Sequence, residues 1–160
     1  MYYYLLTLGC PKNQVDSEGM RELLDEAGHR ETPHPQEADI LIVNTCGFIQ
    51  PATDESLAEL RVLSQHKRKR QKLIAAGCLA ERMQETLAGV VLGLDAALST
   101  HRWREILPLV EHLAQGKTLP SVWVPPGLLS EPSIPIHRRK QPGASGFLKI
   151  AEGCDAACAF

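Results

Sequence analysis

Three apolar runs in this chain of 160 residues end alike: "LLTLGC", "LIVNTC" and "LIAAGC" each pass through small or turn-forming residues into a cysteine, at positions 10, 46 and 78. The intervals, 36 and 32 residues, are close to the roughly 30 residues of one strand–helix–strand unit. Tyr2 to Gly9, Asp39 to Thr45 and Lys72 to Gly77 therefore read as strands buried on both faces. "VVLGL" near Val90 is a fourth candidate, and "GHRETPHPQE" is read as holding a short edge strand.

Amphipathic segments fill the gaps. Asp16 or Ser17 is placed as the cap of a first helix that puts Met20, Leu23, Leu24 and Ala27 on one face before Gly28 ends it. Thr53 is placed as the cap of a second, with Asp54 and Glu55 in its first turn and "HKRKR" at its last. Leu79, Met83 and Leu87 mark a third, and Trp103, Leu107, Val110 and Ala114 a fourth, in which Pro108 either kinks the helix or marks its first turn. Alternation of this kind predicts an α/β fold with an open, mainly parallel sheet flanked by helices, the three-layer arrangement of flavodoxin-like and Rossmann-like domains.

Past Gly116 the texture changes, because six of the eleven prolines fall between Pro120 and Pro142. Residues 1–116 are therefore assigned to an α/β domain and 117–145 to an extended, Pro-rich linker. Residues 146–160 begin a further domain, with Phe147, Leu148 and Ile150 as a strand feeding a cysteine loop. The net charge of −2 argues against a surface built wholly to hold nucleic acid. "MYYYLLTLG" lacks a positive leader region, and no apolar run approaches the roughly 18 residues of a membrane span, so a soluble, cytoplasmic chain without membrane contact is expected. In that compartment five cysteines point to thiols, metal ligands or catalytic groups rather than disulfides.

Parallel strands share the edge at which open α/β folds hold ligands, so Cys10, Cys46 and Cys78 are expected to meet there. One such cysteine alone is more readily a small core residue. Three at equivalent strand ends favour a site, with Gly9, Gly47 and Gly77 letting backbone approach a bulky ligand. Thiolates select zinc, cuprous ions or iron–sulfur clusters, and three of them would leave one iron of a 4Fe-4S cluster open to an outside ligand. Cys154 and Cys158 have the spacing of the first two members of C-x-x-x-C-x-x-C, whose three thiolates hold a 4Fe-4S cluster while S-adenosylmethionine chelates the fourth iron. With Ala159 and Phe160 as spacers, the third cysteine is expected as the next residue, so the chain reads as a fragment cut just before it.

"LGCPKNQVDSEGM", "ADILIVNTCGFI", "AAGCLAER" and "FLKIAEGC" together resemble the methylthiotransferase family of radical S-adenosylmethionine enzymes. The resemblance covers nearly the whole chain apart from the linker. "GCPKNQVDSE" is most similar to the branch that modifies an aspartate of protein S-twelve of the small ribosomal subunit, because the transfer-RNA-modifying relatives usually carry Gln-Met where Pro11 and Lys12 stand. The resemblance implies that Cys10, Cys46 and Cys78 ligate an auxiliary 4Fe-4S cluster. It implies equally that Cys154 and Cys158 supply two of three ligands to a radical cluster at the start of a truncated barrel. S-adenosylmethionine would be the second cofactor, an electron donor a partner, and the piece alone would be inactive. No catalytic residue is assigned beyond the cluster ligands.

Other features are read more plainly. Asn13 and Asn44 lie near two of the cysteines, as donors to sulfur or as caps of turns. "HKRKRQK" and "HRRK" are read as solvated, with contact to ribosomal RNA as the alternative. The six histidines lack metal-ligand spacing. Two rival classes stay open: a transfer-RNA adenosine methylthiotransferase, and a non-enzymatic module with a three-cysteine zinc site or a flavodoxin-like binding role. The absence of a G-x-G-x-x-G or G-x-x-x-x-G-K-[ST] motif weakens a nucleotide-binding version.

Overall fold

The computed structural model describes residues 1–130, 146, 147 and 149–151. Its apolar runs become β1 (Tyr2–Thr7), β3 (Ile40–Thr45) and β4 (Lys72–Gly77), joined by β2 (Arg30–Glu31) and β5 (Ala96–Ser99). All the pairings are parallel, in the order β2-β1-β3-β4-β5. The helices are α1 (Pro11–Glu26), α2 (Gln50–His66), α3 (Cys78–Met83), α4 (Leu87–Val90) and α5 (Ile106–Ala114).

The sheet is buried on both faces, which is why its strands read as unbroken apolar runs rather than alternating ones. Ile40, Ile42, Ile74, Ala76 and Leu98 turn to one side, where Met20, Leu23 and Leu24 of α1 and Leu109, Val110 and Leu113 of α5 cover them. Leu41, Val43, Leu73, Ala75 and Ala97 turn to the other, under Leu60 and Leu63 of α2, Leu79 of α3 and Leu87 of α4. Three layers result, in an open α/β sandwich. None of the described helices is long and apolar enough to cross a membrane.

Several local expectations shift. The short edge strand within "GHRETPHPQE" forms at Arg30–Glu31, at one end of the sheet order. "VVLGL" is not a strand: Val90 ends α4, and the last strand of the sheet is Ala96–Ser99. Helix α1 begins at Pro11 with Cys10 as its N-cap, so Asp16 and Ser17 are buried inside it rather than capping it. Proline at the first helical position sets that start, since its missing N–H is an orphan there in any case. Helix α2 likewise starts at Gln50 behind Ile49, with Pro51 in its first turn; Thr53 instead donates its hydroxyl to the Ile49 carbonyl, and of the basic run only His66 lies within the helix. Pro108 stands in the first turn of α5, without a kink, while Trp103 belongs to the preceding 3-10 turn, Thr100–Glu105.

Part of the proline-rich stretch is packed against the α/β domain rather than standing clear of it. Ala97 pairs with Trp123, its N–H donating to the Val122 carbonyl at 2.7 Å while the Val124 N–H donates to the Ala97 carbonyl at 3.0 Å. Val124 is fully buried in the α1/α5 core, and Arg102 donates to the Val124 and Pro125 carbonyls. The described residues 146, 147 and 149–151 are irregular, and Leu148, Cys154 and Cys158 lie outside the described residues.

Candidate metal centre

Parallel register decides where the cysteines go. β1, β3 and β4 are neighbours, with Thr7 opposite Asn44 and Thr45 opposite Gly77. Cys46 and Cys78 follow their strands immediately, and Cys10 follows β1 after a two-residue turn, so all three stand at the carboxyl edge of the sheet. Between β1 and β3 the strand order reverses, β2 lying on the outer side of β1. The crevice at such a reversal is where open α/β sheets hold their ligands, and Cys10 and Cys46 flank it. Helices α1 and α2 also begin at this edge, directing the positive ends of their dipoles towards it.

Glycines let the three loops interlock. Gly9 has φ +90°, and a Cβ there would lie 2.5 Å from the Cys46 Cβ and 2.8 Å from its Sγ. The Cys46 thiol therefore sits against the residue that precedes Cys10. Gly77 has φ +94°, and a Cβ there would lie 2.6 Å from the Thr45 carbonyl oxygen. At Gly47 a Cβ would lie 2.9 Å from the Leu79 Cα, beside Cys78. These are close approaches that side chains would forbid. Cys10 is exposed, Cys46 buried and Cys78 half-buried. Phe48 and Ile49 stand exposed beside Cys46.

The side chain that joins the loops is Asn13. Its Nδ2 donates to the Leu8 carbonyl at 2.8 Å and to the Thr45 carbonyl at 3.0 Å, one residue pair from Cys10 and one residue from Cys46. Its Oδ1 lies 3.9 Å from the Cys78 Sγ, which donates to it. Asn13 thus touches all three cysteine loops, and its donors serve carbonyls rather than sulfur. Asn44 donates to the Asn13 carbonyl at 2.8 Å and to Ser17 Oγ at 3.0 Å, where Thr7 Oγ1 also donates. Ser56 of α2 brackets the backbone of Cys46, accepting from its N–H at 3.0 Å and donating to its carbonyl at 2.9 Å. Arg82 of α3 donates to the Gly47 carbonyl at 2.9 Å. Composition and spacing gave no sign of Ser56 or Arg82. The Cys-Pro step did carry a signal for Asn13: proline at the first helical position puts Asn13 at the third, where its side chain reaches back to the loops.

Three soft donors at one edge suit a thiophilic metal group. Among the described residues no three His, Cys, Asp or Glu side chains are gathered to hold a metal ion. Thiolates at one sheet edge are the donor chemistry of an iron–sulfur cluster, whose iron corners each take one thiolate.

A model of "Uncharacterized protein family UPF0004" matches residues 2–98, a span that runs from β1 into β5 and takes in Cys10, Cys46 and Cys78. The chain belongs to this family. Its UPF0004 region and the residues beyond are similar to proteins named ribosomal protein uS12 methylthiotransferase RimO. The one from Chloroflexus aurantiacus is 40% identical over 173 residues, covering 100% of this chain and 38% of the relative. That of Roseiflexus castenholzii is 41% identical over 183 residues, with the same two shares. That of Anaeromyxobacter sp. (strain K) is 42% identical over 159 residues, covering 98% of this chain and 33% of the relative. The chain therefore spans less than two-fifths of the length of these relatives, and it is RimO-like in its amino-terminal domain.

Proposed function

We propose that this chain is the amino-terminal part of a radical S-adenosylmethionine methylthiotransferase. Its substrate is an aspartate of ribosomal protein uS12, which gains a methylthio group at its β-carbon. The observation that supports this is the placement of Cys10, Cys46 and Cys78 just past the carboxyl ends of the neighbouring strands β1, β3 and β4, in a chain similar over its whole length to RimO enzymes. Cys10, Cys46 and Cys78 would hold an auxiliary 4Fe-4S cluster, and Cys154 and Cys158 would be ligands of a second one that binds S-adenosylmethionine. Such a pair of groups supplies radical cleavage of S-adenosylmethionine and a transferable sulfur.

The chain's own residues have simpler tasks. The three thiols bind through loops that Asn13 and Ser56 hold in place, so little ordering remains when metal arrives. Gly9, Gly47 and Gly77 keep side chains out of the space between the loops. Phe48 and Ile49 put an apolar rim beside Cys46, suited to closing the edge against water when the rest of the enzyme covers it.

The test uses the full-length protein, reconstituted anaerobically and assayed on uS12 and on transfer RNA. A methylthio mass increase on the uS12 aspartate, with none on adenosine, is the expected result. Modification of transfer RNA instead moves the enzyme to the nucleoside-modifying branch, and stoichiometric zinc without sulfide overturns the iron–sulfur assignment.

A further inference from the structure

Asp16 is a buried carboxylate on α1, only 3% exposed. The Lys149 ammonium lies 2.8 and 2.9 Å from its two oxygens, from a position 133 residues further along the chain. Lys149 is itself largely covered, its side chain 16% exposed. A carboxylate removed from water to this extent is strongly disfavoured without a cation and hydrogen bonds to match it. The contact is therefore unlike the more exposed ion pair between Arg21 of the same helix and Glu31 of β2, whose net worth is small.

The positions of the partners give the pair its meaning. Asp16 lies on the helix that begins at Cys10, one turn beyond Asn13, and is followed by Ser17, which bonds Thr7 and Asn44. Lys149 stands in "GFLKIAEGC", five residues before Cys154. One ion pair thus joins the helix that carries the first cysteine set to the segment that leads into the second. We infer that Asp16 and Lys149 form a latch that fixes the chain at Lys149 against α1 and so tethers Cys154, five residues further along the sequence, within short reach of the helix that Cys10 caps. Its role in the reaction rests on the function proposed above; the docking itself does not.

The experiment uses the full-length protein with Lys149→Met, Lys149→Arg and the reversed pair Asp16→Lys with Lys149→Asp. Lys149→Met leaves the α1 carboxylate in place and adds no bulk to the core. Amide hydrogen exchange of residues 146–151 is the first readout and needs no bound cluster. In Lys149→Met it is expected to quicken by at least about tenfold, as a locally opened segment does, while the strands β1, β3 and β4 stay as protected as in the parent. Lys149→Arg, which keeps the charge and offers paired donors, is expected to restore protection. The second readout is the amount of 5′-deoxyadenosine released per methylthio group transferred, which is expected to rise about tenfold in Lys149→Met with the iron content unchanged.

Unchanged exchange in Lys149→Met overturns the latch. Restored protection in the reversed pair supports it, and reversed-pair exchange as fast as that of Lys149→Met counts against it. Faster exchange with an unchanged product ratio overturns the positioning role alone. A parent protein that transfers no methylthio group refutes the proposed function, and the exchange result still decides the latch.

Discussion

Asn13 does at the scale of one residue what three loops need in common. Its amide nitrogen is shared between the Leu8 and Thr45 carbonyls, and its oxygen faces Cys78. A buried carbonyl that loses its donor costs about 1–3 kcal/mol, whereas the cavity left by so small a side chain is minor. Asn13→Ala is therefore expected to destabilise the fold by about 2 kcal/mol, read by urea unfolding. It should also lower the iron retained by the full-length protein after desalting, because loops that must be ordered on binding hold metal less well. Unchanged stability and unchanged iron would show that the loops need no bridge. The cysteines themselves were legible in the sequence because each ends an apolar run. The task of Asn13 was not, since two of its three contacts are to loops more than 30 residues away and nothing in local pattern encodes them.

At the scale of elements, helix starts and the last strand were read late or in the wrong place. Cysteine and isoleucine are poor caps, so "Asp-Ser" and "Thr-Asp" looked like better starts; proline at the first turn outweighed them in both α1 and α2. "VVLGL" has more strand texture than "AALS", yet the latter is flanked by anchors. Asp95, just before β5, accepts from the Leu73 N–H at 2.9 Å and from Lys72 at 3.1 Å, and pairs with Lys67 as well. Burial alone would raise its carboxyl, but the bonds from Lys67, Leu73 and Lys72 prevail and hold it below the usual range. A depressed carboxyl stabilises the fold above its unfolded value of about 4 and ceases to do so as pH falls through the lower folded one. Asp95→Asn is expected to lose about 2 kcal/mol at pH 7, a deficit that narrows steadily below about pH 4 in denaturant titrations. A deficit that stays constant down to pH 2 would mean that packing, not charge, fixes β5. Gly19 supplies a second test between elements. The Trp103 ring occupies the space where its Cβ would project. Alanine there gains about 1 kcal/mol of helix propensity but must displace a packed indole, at about 1–3 kcal/mol. A lower melting temperature and a shifted Trp fluorescence maximum are expected for Gly19→Ala; a higher melting temperature would show that the ring moves aside freely.

At the scale of the molecule, three cysteines far apart in sequence could share an edge only because β1, β3 and β4 are parallel neighbours, and this much followed from the spacing. How the loops interlock did not follow, because it depends on contacts such as Gly9 against Cys46 that arise only once the sheet is formed. The same edge separates two accounts of the trio. If the cysteines are small core residues, replacing each by alanine should matter according to its burial: most for Cys46, at 6% exposure, less for half-buried Cys78 and hardly at all for exposed Cys10. If they ligate one cluster, burial is irrelevant to metal. Cys10→Ala, Cys46→Ala and Cys78→Ala should then each lose the same roughly four irons and four sulfides per chain from the reconstituted full-length protein. Urea unfolding of the metal-free variants, run beside the iron analysis, separates the two accounts. Cys10→Ala is the decisive case, because its exposed thiol gives it almost no packing role. Wild-type iron and sulfide in that variant would break the trio, and their loss with unchanged metal-free stability would make Cys10 a ligand that the fold itself does not need.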